Sequence, residues 1–400
     1  MKKILSAILV VLMCASLFAF VGCQTKPEET PAEEFKVGFI FLHDENSTYD
    51  KNFIDAAKAA CEKMGVKMVQ KTQIPEDESC YEAAKALIET DECSLIFADS
   101  FGHENFMIQA AKEYPDVQFC HATGVKAHTE KLANYHNAFA SIYEGRYMAG
   151  VVAGLKLNEM IASGEITADQ AKMGYVGAFT FAEVISGYTS YYLGAKSVCP
   201  SVTMDVKFTG SWYDETKEKE AANALISGGC VLISQHADSM GAPTACEAAG
   251  IPNVSYNGST NAACPETFLI SSRINWAPYF EYIIEKAQKG EEIATDWVGS
   301  IKTESVLLTD MGKNVAAGTA EKLAAVKEGL LNGTINVFDT ANFTVGGEKV
   351  TTYLADVDDM GDYKGETEAI EDGVFYESKH RSGPYFDLRI DGITLLDEAY

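Results

Sequence analysis

Aspartate and glutamate outnumber lysine and arginine by 58 to 32 in this 400-residue chain, a formal charge of -26 at neutral pH. Such a surface repels phosphate backbones, which excludes nucleic-acid binding as a function class. At 47% apolar residues, the chain is long enough for two or three domains with real cores.

Lys2 and Lys3 precede an apolar run from Ile4 to Val21, then Gly22 and Cys23. A basic start, an apolar stretch and a small residue before the cut predict a secretory signal over residues 1–22. The run Phe20-Val21-Gly22-Cys23 resembles a bacterial lipobox, with Phe20 where Leu is usual. That resemblance implies cleavage before Cys23 and acylation of its thiol. The competing reading, an uncleaved anchor, asks for a longer apolar run. QTKPEETPAEE comes next; it is polar and proline-bearing, so residues 23–35 read as a flexible tether. No later segment offers the ~20 apolar residues of a span. YMAGVVAGLKL (147–157) is interrupted by Lys156. Of ten cysteines, Cys14 lies in the leader and Cys23 at its expected cleavage site, and the other eight form no CxxC or zinc-spaced cluster. They read as small buried residues, with disulfides left open.

From Lys36 strands and helices alternate. KVGFIFL (36–42) is a short apolar run, as a strand buried on both faces should be. Residues 51–65 place Phe53, Ala56, Ala57, Ala60 and Met64 on one helical face, ended by Gly65. VKMVQ, SCYEAAKALIET, CSLIFA, ENFMIQAAKEYP and VQFCH continue the alternation. It restarts with KMGYVGAF (172–179), a helix over 183–198, VTMDVKFTG, a helix over 214–229, CVLISQ (230–235) and MGAPTACEAAG. Repeated β-α-β-α order implies parallel sheets flanked by helices, here in two successive lobes. Past Ser300 the texture changes: a helix over 321–333, a hairpin over 343–353 turning at Gly346-Gly347, then irregular structure.

In this fold class ligands sit beyond the carboxyl ends of strands. The loops to read are therefore HDENSTYD, ADSFGHE, CHATG, GAFTFAE, TGSWYD, QHADS and YNGSTN. They supply Tyr49, Phe101, Phe179, Phe181, Trp212, His236, Asp238 and Asn257, and SSRINWAPYF adds Trp276. Aromatics mixed with few hydrogen-bonding groups suit a flat, partly polar ligand. His236, Asp238 and Ser239 are the ingredients of a hydrolase triad, yet residues two apart at a strand end point differently, and no GxSxG elbow is present. Ser239 reads as a cap of the following helix. Asp238 reads as a second cap or as a carboxylate reaching the cleft, where it can accept two N–H groups from one ligand edge. Glu183 either meets its helix dipole or accepts a ligand N–H. Trp212 and Trp276 serve lobe packing or the ligand, and Arg146 bridges segments where the chain changes lobe. With no dinucleotide fingerprint, no GxxxxGK[ST] loop and no HExxH, the chain is expected to be no enzyme and to carry no cofactor or metal.

EYPDVQFCHATG (113–124), IYEGRYMAG (142–150), GSWYDETKEKEAANALISGG (210–229), QHADS (235–239) and NWAPYF (275–280) stand in one order over residues 36–300. Together they resemble the basic membrane protein family of substrate-binding lipoproteins that serve ABC importers. The resemblance implies a two-lobed periplasmic-binding-protein fold of type I with three hinge crossings. Lobe 1 is then expected over 36–142 plus about 270–300, lobe 2 over 143–269, and a C-terminal extension packed on the lobes over 301–400. It implies capture of a purine base or nucleoside by hinge closure, and a monomer held by lipid to the outer face of the cell membrane. Permease and ATPase subunits would be its partners; a sensor that hands ligand status to another protein is the alternative. Thr123 stands where nucleoside-binding relatives carry Asp, and Ser272 where they carry Lys, so the groups that grip ribose are missing. QHADS, HATG, Tyr49 and the loop of Phe101 are similar to the branch that takes a free base such as adenine, although a Trp expected near Ser47 is absent.

Overall fold

The structure is a computed structural model that describes residues 34–358 and 364–400. The signal segment, Cys23 and nearly all of the tether lie outside the described residues. The first strand, β1 (Lys36–Ile40), is followed by α1 (Thr48–Met64), whose start and stop are set locally. Ser47 accepts a hydrogen bond from the Asp50 N–H, and Gly65 closes the helix in the left-handed region at φ 66°. Val37 and Phe39 of β1 face one core and Ile40 the other, so both faces of the strand are buried as its composition requires. Then come β2 (Lys67–Lys71), α2 (Glu78–Glu89), β3 (Leu95–Ala98), α3 (Glu104–Glu113), β4 (Gln118–Ala122) and β5 (Tyr135–Ala140).

After β5 the chain leaves this sheet through α4 (Ile142–Ser163). A second sheet is built from β6 (Lys172–Gly177), α5 (Ala182–Lys196), β7 (Thr203–Phe208), α6 (Glu215–Ser227), β8 (Leu232–Gln235), α7 (Gly241–Ala249), β9 (Asn253–Tyr256) and β10 (Phe268–Ile274). Next, α8 (Ala277–Lys289) returns to pack on α1, and β11 (Asp296–Gly299) pairs with β5. The chain crosses again to β12 (Val306–Leu308), antiparallel to β10. Beyond it, α9 (Thr319–Leu331) lies on α4, and β13 (Ile393–Leu395) extends the sheet beyond β7. The sheet orders are β11-β5-β4-β3-β1-β2 and β12-β10-β9-β8-β6-β7-β13.

The chain therefore changes lobe after Ala140, after Ile274 and after Gly299. One boundary differs from the expectation. The strand Phe268–Ile274 belongs wholly to the second sheet, and the return to the first comes after it. Nor do the C-terminal hundred residues merely lie on the lobes, since β12 and β13 are strands of the second sheet. The hairpin expected over 343–353 shortens to a single bridge, Val345 to Glu348, around Gly346 and Gly347. The amides of those glycines donate to Asp391 instead of continuing a ladder.

No helix among the described residues is long and apolar enough to cross a membrane. The apolar run in α4 instead packs against α5 at backbone distance. A Cβ on Gly150 would lie 1.9 Å from the Tyr191 carbonyl oxygen, and one on Gly194 would lie 2.0 Å from that of Tyr147. The eight cysteines in the described residues are buried free thiols.

Candidate functional site

A cavity lies where the carboxyl ends of the two sheets face each other. The first lobe lines it with Leu42, His43, Tyr49, Ser100, Phe101 and Thr123. Glu183, Trp212, His236, Asp238, Tyr256 and Asn257 line it from the second. About 360 Å³ of atom-free space lies between these residues, part of it open to solvent.

The lobes touch across this cleft. Thr48 N–H and Oγ1 both donate to the Asp238 carbonyl at 3.2 Å. The His43 and Tyr213 rings lie 5.4 Å apart, and those of Phe101 and Phe181 5.2 Å apart. Phe181 continues to Phe179 at 5.3 Å, and Phe179 to Trp212 at 5.1 Å, so one chain of rings runs from lobe to lobe. Tyr49 is fixed at both ends, its hydroxyl donating to the Asp99 carbonyl at 2.7 Å and its ring edge-on to Phe53 at 4.8 Å.

Carboxylates dominate the polar part. The Asp238 side chain is buried, and Asn257 Nδ2 approaches it at 3.5 Å. Burial, with the carboxylates of Asp50, Glu218 and Glu183 nearby, pushes its carboxyl well above the usual range. Glu183 sits in the first turn of α5, 3.5 Å from His236 Nε2. Burial holds the His236 imidazolium below its ordinary pKa despite that neighbour. The Tyr256 hydroxyl is buried in the cavity wall without a hydrogen-bond partner among the described residues. Behind its ring stands the Arg146 guanidinium, 5.0 Å from the centroid and fully buried. Arg146 donates to the Ser255 carbonyl, the Tyr175 hydroxyl and Ser234 Oγ. It therefore braces the second sheet from within one lobe, not the junction between lobes.

Thr123 and Asn257 end β4 and β9 in the left-handed region, at φ 64° and 63°. Asn tolerates that conformation, whereas a β-branched residue is strained there by ~1–3 kcal/mol. Backbone strain at a cavity wall is typical of ligand sites.

No triad forms at 236–239. The His236 ring faces Glu183 and the Tyr175 hydroxyl, while Ser239 Oγ accepts the Gly241 N–H at the start of α7. Ser239 thus receives the first amide of the helix from one position before its N-cap, Met240, which itself makes no side-chain cap bond, and Asp238, whose own N–H donates to the Trp212 carbonyl at 3.0 Å, turns its carboxylate to the cleft.

A family model described as Bmp, ABC transporter substrate-binding protein PnrA-like, matches residues 40–341. The chain belongs to the Bmp family. A putative ABC transporter glucose-binding protein of Haloferax volcanii is 32% identical over 249 residues, 62% of this chain and 60% of its own length. This chain thus matches less than two thirds of that protein. A purine-binding protein of Brucella abortus is 31% identical over 350 residues, 82% of this chain and 94% of its own. Among solved structures, an ABC transporter solute-binding protein from Conexibacter woesei superposes with a TM-score of 0.60 at 20% identity, over 75% of this chain and 97% of that one. That likeness is one of fold.

Of the side chains expected to hold ligand in this Bmp-family protein, Tyr49, Phe101, Thr123, Glu183, Trp212, His236, Asp238 and Asn257 surround the cavity; Trp276 does not. Trp276 is 1% exposed and stacks on Phe53 at 4.4 Å, among Phe97, Phe139, Tyr279 and Phe280. The reason is topological. The chain crosses back just before it, so Trp276 begins α8 against the face of the first sheet instead of ending a strand at the cleft. Leu42, His43, Ser100 and Tyr256 also line the cavity, beyond the residues expected from sequence. Each lies within or just before one of the strand-end loops, so position relative to the strand end is the signal that locates them.

Proposed function

We propose that this Bmp-family protein is the extracytoplasmic binding component of an ABC importer, anchored by lipid at Cys23, that captures a purine base between its lobes. The observation that carries the reading is the pairing, in one small closed cleft, of ring faces with acceptors. Tyr49, Phe101 and Trp212 present aromatic surface, and Asp238, Glu183 and Asn257 present oxygens. A flat ligand with several N–H donors satisfies both. Stacking contributes roughly 1 kcal/mol per ring beyond the area it buries. His236 and the Tyr256 hydroxyl supply donors for a ring nitrogen, and Thr123 ends the cavity on the first-lobe side. Hinge closure around the ligand then presents one shape to a permease, whose ATPase supplies the energy for transport.

Similarity to the Brucella purine-binding protein over most of both chains supports the base reading. The Haloferax relative, named a putative glucose-binding protein, favours a second reading in which the acidic groups hold sugar hydroxyls and the protein serves as carrier or sensor. Titration calorimetry of the mature domain, unfolded and refolded to remove carried ligand, decides between them. The panel is adenine, guanine, hypoxanthine, adenosine, inosine, ribose and glucose. Tight binding of a base with weak binding of its nucleoside is expected. Preference for glucose would replace the base reading with the sugar one.

A further inference from the structure

Residues 381–399 run along one side of the cleft and are fastened to both lobes. On the first lobe, the Ser382 N–H and hydroxyl both donate to Asp296 Oδ1 at 2.7 Å, at the start of β11. Gly383 lies so near the loop after β4 that a Cβ there would sit 2.8 Å from the Gly124 carbonyl oxygen. Arg381, 2% exposed, holds this turn by donating to the carbonyls of Gly383, Val357 and Pro384. On the second lobe, Arg389 donates to the Tyr188 hydroxyl at 3.1 Å, and β13 pairs with β7. Asp397 accepts the Phe208 N–H at 2.7 Å, and Ala399 exchanges hydrogen bonds with Thr180 at 2.7 and 2.8 Å. Residues 383–388 bridge the gap between these two sets of fastenings.

In that bridge Pro384 borders a small space shared by Phe101, Thr123 and Val125 of the first lobe and Phe181, Ala182 and Glu183 of the second. Phe101, Thr123 and Glu183 also line the main cavity. The bridge therefore stands beside the ligand cavity, where both lobes meet. We infer that the C-terminal strap is a third wall of the binding site and limits ligand size, with Pro384 closing the side of the cavity beside Thr123 and the Ser382–Asp296 contact holding it there. A bare planar base asks the least room of this wall. A base carrying a bulky substituent must displace it. The inference rests on the purine reading for its choice of probes, though not for the existence of the strap.

The test compares adenine and adenosine binding to the full mature chain and to Pro384→Gly, Asp296→Ala and Ser382→Ala. Adenine should bind the unaltered protein more tightly than adenosine. Pro384→Gly should shift the affinity ratio toward adenosine by about tenfold, the scale of small changes in the volume of a closed pocket. Asp296→Ala and Ser382→Ala should shift it the same way and also speed adenine dissociation. An unchanged ratio in all three variants, or adenosine bound best by the unaltered protein, overturns the size limit. If neither probe binds the unaltered protein, the purine reading fails and the strap is judged without ligand. Amide hydrogen exchange at Thr123–Val125 and at Phe181–Glu183 should then rise about tenfold together in Asp296→Ala. Unaltered exchange at both would overturn the strap as well.

Discussion

At the scale of one residue, the part in binding proposed for Asp238 opposes stability. Its carboxyl is raised by burial and by neighbouring acids, so ionising it in the ligand-free protein costs stability. The sign comes from linkage. A carboxyl whose folded pKa exceeds its unfolded one contributes most at low pH, and that contribution is lost as pH rises through the folded value. Asp238→Asn should therefore raise the melting temperature of the ligand-free protein at neutral pH. It should also weaken base binding by ~2 kcal/mol, because the amide offers a donor where the ligand edge needs an acceptor. Paired melting curves and titrations check both halves; a variant that loses stability and keeps affinity would remove Asp238 from the ligand. Glu377 behaves alike away from the cavity. It is 2% exposed, and burial pushes it up to about 8, with the nearby Ser186 hydroxyl opposing the rise and Glu183 adding to it. Stability should fall by roughly 3–5 kcal/mol between pH 4.5 and pH 8 through this group, from its ordinary value to its raised one. Glu377→Gln should flatten that slope in denaturant titrations run across the range. None of this was legible in the sequence, because a lone Glu in an irregular segment carries no sign of what folds over it. The position of Asp238 at the cavity was legible, since a carboxylate just past the end of an apolar strand has few places to point.

At the scale of elements, the sequence was most readable where periodicity and caps agreed. The helix over 51–65 and its Gly65 stop reappear as α1 with the left-handed cap, and Ser239 reappears as the residue that receives the first amide of α7. Short, half-exposed strands were harder. Asp296–Gly299 and Val306–Leu308 gain their strand character from neighbours far away in the chain, β5 and β10, not from their own pattern. Trp276 misled for a related reason: its local context resembles a strand-end loop, and only the crossing before it turns the side chain into the first-lobe core. The α4–α5 contact tests how far local sequence dictates packing. A methyl on Gly194 would meet the Tyr147 carbonyl at 2.0 Å, and neither helix can retreat without uncovering the apolar residues behind it. Gly194→Ala should thus cost about 3 kcal/mol or more, although Ala is the better helix former. An unfolding free energy within about 0.5 kcal/mol of the parent, the ordinary range for a neutral site, would mean that the helices slide apart without loss.

Across the whole molecule, three crossings join two sheets whose contacts are closed around the cavity. The bonds from Thr48 to Asp238 and the ring pair Phe101–Phe181 join the lobes directly. Closure is thus favoured partly by the protein's own surfaces and does not depend on ligand alone. The populations of open and closed forms then govern affinity. A ligand that binds the closed form gains no affinity from closing a lobe pair that is already closed, and loses affinity in proportion to the fraction that is open. Phe101→Ala removes a lobe-to-lobe ring contact worth ~1 kcal/mol and a stacking surface of similar value. The ligand-free variant should therefore open, with a larger radius of gyration in solution scattering, while ligand restores the compact value. Association should become faster, because entry no longer waits for opening, and dissociation faster still, so that affinity falls by about tenfold to thirtyfold. If the scattering of the ligand-free variant matches that of the parent, the rings do not hold the lobes and closure must be carried by the backbone contacts at Asp238. If the radius grows and ligand fails to reduce it, Phe101 acts on the ligand as well as on the hinge. That outcome would make the aromatic chain from Phe101 to Trp212 the element that couples occupancy of the cavity to the shape a permease meets.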